Sequence, residues 1–356
     1  MLPFETITSK SDLFREVRIV RVIQETSDAK TFVIEPIDGD LPYKPGQFLT
    51  FVFLEKSGLT RRSYSLSSAP GEPMSVTMKR IPNGVFSRPL LELGEVGDRL
   101  TIAGGATGFF TLPADISRFE RVLFLAAGSG ITPVYSIIKS LIGSKTQIAS
   151  VLVYSNSSTK TTLFREPLET LAVNNADRLK IEWLFSQNQD LWKARLNKLI
   201  LEKLLKQHMK SPVKTLVYLC GPFDYMRMAA IVLQAAGIPQ ENIKREVFTP
   251  GIPKSPERPP DVLAHQVEVL IHGKVHKFIV QFPDSILQVA RKLGIELPYS
   301  CEAGRCGSCV ATCTSGKIWM KYNEVLTDRE VSNGRVLVCN GFPVGVDVVV
   351  KFDSSV

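Results

Sequence analysis

The sequence has 356 residues, and its 43 lysines and arginines outnumber its 35 aspartates and glutamates to give a formal net charge of +8. This length is too great for one ordinary hydrophobic core, so we expect two or three domains. The N-terminus has no basic segment followed by an apolar one, and no stretch approaches membrane-spanning length. We therefore expect a cytoplasmic protein that does not associate with membranes.

The excess positive charge lies in the first 260 residues. Residues 261–356 contain ten basic and ten acidic side chains, so the whole imbalance is upstream of them. The basic residues are dispersed rather than clustered, and binding of phosphate-bearing cofactors would explain them as well as nucleic acid would. We therefore expect no nucleic-acid partner.

Residues 1–115 are predicted to form a domain of short strands separated by turns. The six candidate strands are Val17–Ile23, Thr31–Glu35, Phe48–Phe53, Ser63–Leu66, Met74–Met78 and Arg99–Ile102. Six strands at this spacing favour a closed antiparallel β-barrel. A β-sandwich without a ligand is the alternative.

Residues 116–249 show the alternation of strands and helices that is typical of a doubly wound α/β domain. The strand Val122–Ala127 is followed by Gly128-Ser-Gly130-Ile-Thr132-Pro133 and then by a predicted helix. Such glycines let backbone N–H groups approach a phosphate, and a proline fits the first helical turn. A tight turn is the alternative, but three further predicted strands favour nucleotide binding: Ile148–Tyr154, Lys180–Phe185 and Thr215–Cys220.

The last of these strands ends in Cys220-Gly221-Pro222. Ligands of parallel sheets bind at the carboxyl ends of the strands, so Cys220 is in position to face a nicotinamide. A buried structural cysteine is the alternative for Cys220.

A proline-rich segment, Thr249–Pro260, is the clearest domain boundary, and we predict a linker over residues 250–262. In the remaining domain, residues 263–356, His265–Ile271 and Val275–Gln281 are predicted to form a hairpin. Ser285–Leu293 is predicted to be a helix. This order of elements indicates a β-grasp domain.

Four cysteines of this last domain have the spacing of an iron–sulfur site. They are Cys301, Cys306, Cys309 and Cys339. The pattern C-x4-C-x2-C followed by a distant cysteine is typical of a plant-type [2Fe–2S] cluster. Gly304 and Gly307 are expected where a side chain would obstruct the loop, so that backbone N–H groups can point at sulfur. Two disulfides or a zinc site are the alternatives, and Cys313 is predicted to be a packing residue.

The cluster loop, the Gly128–Pro133 loop and Cys220–Pro222 together resemble the ferredoxin–NADP reductase superfamily with a C-terminal ferredoxin domain. The resemblance covers nearly the whole chain and is greatest to reductases of the phenylacetyl-CoA epoxidase (phenylacetate degradation) type and of other bacterial multicomponent oxygenases. It implies an NAD(P)H-dependent oxidoreductase that passes electrons through FAD, favoured over FMN, and the cluster to an oxygenase component. Reduction of a ring-hydroxylating dioxygenase or a separate ferredoxin, and a non-enzymatic redox sensor, are the alternatives.

The resemblance also implies roles for single residues. The flavin signature R-x-Y-S is present, so that Arg62 would pair with the flavin phosphates, Tyr64 would lie against the ring and Ser65 would bond near its reactive nitrogen. A second phosphate element is Gly84-Val85-Phe86-Ser87, and Phe248 matches an aromatic residue near the flavin. The residues implied to bind the nicotinamide dinucleotide are Gly128, Gly130, Thr132, Pro133, Gly221 and Pro222, with Cys220 beside the reacting ring.

The choice of coenzyme depends on the segment after the second strand of the α/β domain. The segment Tyr154–Lys160 lacks the arginine that is often present there in relatives. Arginine and lysine usually hold the 2′-phosphate of NADP, and the nearby candidates are Lys160 and Arg165. The resemblance slightly favours NADPH.

Overall fold

The computed structural model describes residues 14–55, 58–81, 84–248 and 258–352, and its chain divides into two compact units. Of the described residues, the first unit contains 15–102 and 110–248, and the second contains 103–109 and 258–352 together with Phe14. Most of the predicted proline-rich linker lies outside the described residues.

The N-terminal part of the first unit is an antiparallel barrel. Its strands are β1 (Phe14–Thr26), β2 (Ala29–Pro36), β3 (Phe48–Glu55), β4 (Gly58–Ser65), β5 (Ser75–Lys79) and β6 (Arg99–Ala103), with helix α1 (Ser87–Leu93) between β5 and β6. The strand order is β4-β3-β6-β1-β2-β5. Leu66 forms a bridge with Val76, and the N–H of Ser67 donates to the Ser75 carbonyl at 2.8 Å. The chain directly after β4 therefore pairs with β5, which closes the predicted barrel.

The rest of the first unit is a parallel sheet with helices on both faces. Its elements are β7 (Arg121–Ala127), α2 (Ile131–Gly143), β8 (Ala149–Asn156), α3 (Arg165–Asn174), β9 (Leu179–Phe185), α4 (Lys198–His208), β10 (Thr215–Cys220), α5 (Phe223–Ala235) and β11 (Ile243–Glu246). The strand order is β11-β10-β7-β8-β9. Successive residues of β7 face opposite layers: Phe124 packs in the core that includes α2, and Leu125 packs in the core that includes α4 and α5. Both faces are covered, which explains why β7 is apolar from Val122 to Ala127.

The barrel and the parallel sheet are packed together within the first unit. The Ser136 hydroxyl of α2 donates to the Ser68 carbonyl at 2.5 Å, and Lys139 forms an ion pair with Glu72. At Gly46, which has φ +88°, a Cβ would lie only 2.0 Å from the Phe110 carbonyl oxygen. These contacts fix α2 of the parallel-sheet part against the barrel.

The second unit contains a mixed sheet and a small two-stranded sheet. Its elements are β12 (His265–Ile271), β13 (Lys274–Val280), α6 (Ile286–Lys292), β14 (Val310–Ser315), β15 (Ile318–Met320), α7 (Asp328–Ser332), β16 (Arg335–Leu337), β17 (Gly341–Pro343) and β18 (Val348–Lys351). The larger sheet has the order β13-β12-β18-β14-β16, and β15 pairs with β17. Ser285 begins α6 with a capping box to Gln288, and the helix buries Ile286, Leu287 and Ala290 in the core formed with the sheet. The predicted hairpin, helix and β-grasp arrangement are confirmed.

Helices that are long and apolar enough to cross a membrane are absent from the part of the chain that the structure describes.

Candidate active site and metal centre

The pairing of two strands brings the fourth predicted cluster cysteine next to the cluster loop. The loop lies between α6 and β14, and Cys339 lies in the turn after β16. Because Val310 of β14 is opposite Leu337 of β16, and the N–H of Val338 donates to the Cys309 carbonyl at 3.2 Å, Cys309 and Cys339 are neighbours. The predicted convergence of a loop and a distant residue is therefore present in the structure.

The four thiols form two neighbouring pairs. The adjacent Cys306 thiol lowers the pKa of Cys301 to about 6, and the Cys306 thiol itself donates to the Ser308 hydroxyl at 3.5 Å. The contact with Cys301, together with burial, raises the pKa of Cys306 well above its ordinary value. In the second pair, the contact with Cys339 and then burial raise the pKa of Cys309. All six cysteines of the chain, each of which is described, are free thiols.

This donor set fits a two-iron cluster. Among the described residues, no three histidine, cysteine, aspartate or glutamate side chains surround a single metal position. A [2Fe–2S] cluster shares four thiolates between two irons, which suits two adjacent pairs better than a mononuclear zinc site does. The N–H of Ala303 also lies 3.4 Å from the Cys301 sulfur, as expected for a loop that directs backbone N–H groups at sulfur. Cys313 belongs to neither pair, and its thiol donates to the Ser315 carbonyl at 3.3 Å.

Both glycines of the cluster loop occupy positions that other residues cannot. Gly304 has φ +71°, and a Cβ there would lie 2.4 Å from the Tyr322 carbonyl oxygen and from the Asn340 amide nitrogen. Gly307 has φ +77°, and its Cβ would lie 2.5 Å from the ring of Phe109. The prediction that side chains would obstruct the loop is confirmed, and the obstruction comes from segments that pack against it.

The residues of the flavin signature lie at the end of β4. Tyr64 packs against Phe51 and Phe86, with ring centroids 5.9 and 5.8 Å apart, and burial raises the pKa of Tyr64 to about 12. Arg62 is exposed, donates to the Arg61 carbonyl at 2.7 Å and forms no ion pair with any described residue. Its guanidinium therefore suits an anionic ligand such as a phosphate.

The second predicted phosphate element begins α1. A Cβ on Gly84 would lie 2.5 Å from the Ser87 hydroxyl, so a side chain at position 84 would displace the Ser87 side chain. Val85 is exposed, whereas Ser87 is buried, and its hydroxyl forms no hydrogen bond with any described residue. A buried hydroxyl without a partner at this position suits a ligand that can accept its proton.

The two glycines of the nucleotide loop differ in their surroundings. Gly128 has φ +56° and open space where a side chain would be, and the Tyr154 hydroxyl donates to its carbonyl at 3.1 Å. A Cβ on Gly130 would lie 2.3 Å from the Cys220 carbonyl oxygen, so Gly130 allows the loop to pack on the end of β10. The Thr132 hydroxyl donates within the loop to the Ser129 carbonyl at 3.0 Å. Gly128 thus leaves open space through which a phosphate could reach the backbone of the loop.

The residues after Cys220 pack against the same loop. A Cβ on Gly221 would lie 2.9 Å from the Ala127 side chain, and Pro222 is the residue that caps the start of α5. Pro133 is buried in the first turn of α2, as predicted from its position after the loop. The carboxyl ends of β7 and β10 therefore form one surface, with the N-termini of α2 and α5 beside it.

The structure adds an acidic residue to this surface. Glu246 ends β11 directly opposite Cys220 of β10, and the Ser65 hydroxyl donates to the Glu246 carboxyl group, 3.4 Å from each oxygen. Burial raises the pKa of Glu246 to about 8. The pKa of the fully buried Cys220 is also raised, by burial first and then by Glu246. Phe248 lies two residues beyond Glu246 and is 45% exposed.

Glu246 was not among the residues predicted from the sequence. Its contact with Ser65 spans 181 positions of the chain, and β11 has only four residues, of which Ile243 alone is buried. The available signal was the Glu246-Val-Phe248 stretch, because a carboxylate next to the predicted flavin aromatic is a candidate for a shifted pKa.

Comparison with known proteins agrees with this geometry. The family model described as an oxidoreductase NAD-binding domain matches residues 124–230, and that of a 2Fe-2S iron-sulfur cluster binding domain matches residues 269–344. The ferredoxin reductase component of 3-ketosteroid-9-alpha-monooxygenase from Mycobacterium tuberculosis is 33% identical over 95% of this chain and 96% of its own length. A component of the 1,2-phenylacetyl-CoA epoxidase from Escherichia coli is also 33% identical, over 96% of this chain and 98% of its own.

Solved structures share the fold. Phthalate dioxygenase reductase, described as a modular structure for electron transfer from pyridine nucleotides to [2Fe-2S], superposes with a TM-score of 0.57 at 24% identity and covers 95% of this chain and 98% of its own. A type IV self-sufficient cytochrome monooxygenase superposes with a TM-score of 0.70 at 20% identity over 98% of this chain, which spans 43% of that protein.

The chain belongs to the family of oxygenase reductase components, oxidoreductases that combine an NAD-binding domain with a [2Fe–2S] ferredoxin domain.

Proposed function

We propose that this protein is an NAD(P)H-dependent reductase that passes electrons through FAD and its [2Fe–2S] cluster to an oxygenase component. The observation that carries the proposal is the meeting of Ser65, Cys220 and Glu246 at the carboxyl ends of β10 and β11. Ligands of open α/β sheets bind at such an edge. Here that edge meets the barrel residue of the flavin signature, so a nicotinamide and a flavin would react at this point.

Residues of the barrel, together with Phe248 after β11, would hold FAD. Arg62 is available for the phosphates, Gly84–Ser87 would provide the second phosphate contact, and Tyr64 and Phe248 would lie near the ring. When bound, FAD would supply the conversion of a hydride pair into single electrons, which no amino-acid side chain provides. The protein would contribute the orientation of the ring and the exclusion of water by the packed aromatic residues around Tyr64.

For the coenzyme we propose NADPH rather than NADH, bound at Gly128–Pro133 and Gly221-Pro222. Arg165 is already paired with Glu169 at 2.9 Å, whereas Lys160 forms no ion pair within the described part of the chain. Lys160 is therefore the better candidate for the 2′-phosphate, because its ammonium group has no competing carboxylate.

The acceptor that we propose is the oxygenase of a phenylacetyl-CoA epoxidase system, acting in the cytoplasm. Relatives of similar identity serve a 3-ketosteroid monooxygenase or a glycine betaine monooxygenase, so the three acceptor types are compared by assaying the purified reductase with each oxygenase. Product formation with the phenylacetyl-CoA epoxidase, and with neither of the other two oxygenases, would support the epoxidase as the acceptor. A non-enzymatic redox sensor would show no rapid NAD(P)H-dependent reduction of ferricyanide.

The order of electron transfer is tested with Cys306→Ser. Serine oxygen is a harder ligand than thiolate sulfur, so the cluster should be lost or changed, while the first unit keeps its own cores. Ferricyanide reduction, which can draw on the flavin, should remain nearly normal. Cytochrome c reduction and oxygenase turnover should fall by at least tenfold.

The matched control for this experiment is Cys313→Ser, since the Cys313 thiol donates to the Ser315 carbonyl and belongs to neither cysteine pair. It should change neither assay. If Cys306→Ser abolished flavin reduction, or if oxygenase turnover continued without a cluster, the proposed order of electron transfer would be wrong.

A further inference from the structure

A charged side chain is buried within the cluster loop itself. Arg305 lies between Gly304 and the cluster ligand Cys306, and the residue is only 7% exposed. Arginine is almost never buried to this extent unless its charge is paired. The partners of this guanidinium therefore decide how much of its positive charge remains uncompensated in the loop.

The guanidinium is compensated only in part. Its Nε lies 3.3 Å from a Glu324 carboxylate oxygen, and its Nη2 donates to the Tyr322 hydroxyl at 3.2 Å. Neither that Nε nor that carboxylate oxygen has a well-formed hydrogen bond, and Nη1 has no hydrogen-bond partner among the described residues. Glu324 keeps 26% of its side chain exposed, so solvent screens the carboxylate more than it screens the arginine.

The same partners connect the loop to the fourth ligand. The Glu324 N–H donates to the Gly304 carbonyl at 3.1 Å, and the amide of Asn340, the residue after Cys339, donates to the Tyr322 carbonyl at 2.7 Å. Arg305 is thus held in place by a segment that contacts both sides of the cysteine site.

A cation next to a [2Fe–2S] cluster changes how readily the cluster accepts an electron, because the cluster is negatively charged. Two ferric ions, two sulfides and four thiolates form a dianion, and uptake of one electron makes it a trianion. A fixed positive charge nearby stabilises the trianion more than the dianion, and this effect is strong where the protein excludes water.

We propose that Arg305 is a positioning residue that raises the reduction potential of the cluster, and that Glu324 opposes it. This inference rests on the proposed function, because it requires the cluster. The predicted effects of the two charges have opposite signs, which a packing role would not produce.

The test is a mediated redox titration of the full-length protein, following the EPR signal of the reduced cluster. Arg305→Gln should make the cluster harder to reduce by about tenfold in the equilibrium constant, or about 59 mV for a one-electron couple. Glu324→Gln should shift the potential in the opposite direction. The Tyr322 hydroxyl donates to the Glu324 carboxylate, and the amide oxygen of glutamine would accept the same hydrogen bond. Arg305→Lys keeps the charge and should restore most of the potential.

The matched control is Arg291→Gln. Arg291 pairs at 2.8 Å with Glu302, which is also in the cluster loop, but their side chains are 43% and 39% exposed. Solvent screens this pair, so its removal should change the potential much less.

Shifts of the same sign in Arg305→Gln and Glu324→Gln would overturn the proposal, as would an equal loss in Arg305→Lys. If Arg305→Gln failed to retain its cluster, Glu324→Gln would decide alone: a higher potential supports the proposal, and an unchanged or lower one refutes it. Iron and sulfide analysis of the unmodified protein shows whether the cluster is present at all. A missing cluster would refute the proposed function as well, whereas a cluster with an unresponsive potential would refute only the role of Arg305.

Discussion

Glu246 offers a direct test of the candidate active site, because its ionisation should control both activity and stability near neutral pH. The pKa of its carboxyl group is raised from 4.5 to about 8, mainly by burial, and Ser65 opposes this shift by donating a hydrogen bond. Within the described residues the carboxyl group forms no ion pair. The group is therefore neutral at pH 7, and ionisation above pH 8 would place an unpaired negative charge beside Cys220.

The energetic consequence follows from the size of the shift. An increase in pKa from 4.5 to about 8 disfavours the ionised form by about 5 kcal/mol before solvent screening is considered. Because the side chain is partly accessible, roughly 1–3 kcal/mol is a more realistic cost. The folded state binds this proton more tightly than the unfolded state does, so stability is full below pH 4.5 and is lost as pH rises towards 8.

Glu246→Gln keeps the shape of the side chain and removes its titration. In the unmodified enzyme, NAD(P)H-dependent ferricyanide reduction should decline as pH rises through about 8, since a negative charge at this edge opposes the arrival of hydride. The variant should show no such decline. The fall in Tm between pH 5 and pH 9 should be smaller in the variant than in the unmodified protein by about 2–12 °C, since roughly 1–3 kcal/mol corresponds to about 2–4 °C per kcal/mol in a unit of this size.

This role of Glu246 would be refuted if Glu246→Gln kept the same decline near pH 8 and the same pH dependence of Tm. Ser65→Ala supplies a check of direction. It removes the hydrogen bond that lowers the pKa of Glu246, so the decline in activity should move to higher pH.

Three further predictions concern cofactor binding. Tyr64→Ala should weaken flavin retention by about 1 kcal/mol beyond the lost contact area, measured by flavin release, and Tyr64→Phe, which keeps the ring, should not. Lys160→Ala should lower kcat/KM for NADPH several-fold and leave that for NADH nearly unchanged; equal losses would show that Lys160 does not contact the 2′-phosphate. Gly304→Ala should reduce iron content per chain, because its Cβ would lie 2.4 Å from a backbone oxygen and φ > 0 costs alanine about 1 kcal/mol; full iron loading would contradict this.

The sequence predicted correctly those features that depend only on residues close together in the chain. Strand β7 is apolar from Val122 to Ala127 because both its faces are covered, and the spacing of the first three cluster cysteines reflects the reach of one loop. The ends of elements were less accurate. The predicted strand Val17–Ile23 is the middle of the 13-residue β1, whose outer residues are polar except for Phe14 and at least partly exposed except for Thr26.

Other features depend on contacts between distant residues. The requirement for glycine at position 130 comes from the carbonyl of Cys220. Cys220 is fully buried, as one of its two alternatives predicted, and it lies opposite Glu246 at the carboxyl end of the parallel sheet; a position beside a nicotinamide stays a prediction. No periodicity in the sequence indicates such pairs, because the residues concerned belong to different elements.

The electrostatics of the two candidate redox sites differ in a way that agrees with the proposed direction of electron transfer. At the nicotinamide site, burial raises the pKa values of Glu246 and Cys220, so both groups are neutral at pH 7 and add no negative charge. In the cluster loop, the buried charge is the cation Arg305. A neutral site favours the arrival of hydride, and a cation favours the retention of an added electron at the cluster. If the potentials of Arg305→Gln and Glu324→Gln move in opposite directions, the charges of the cluster loop, rather than its packing, set how strongly the cluster retains an added electron.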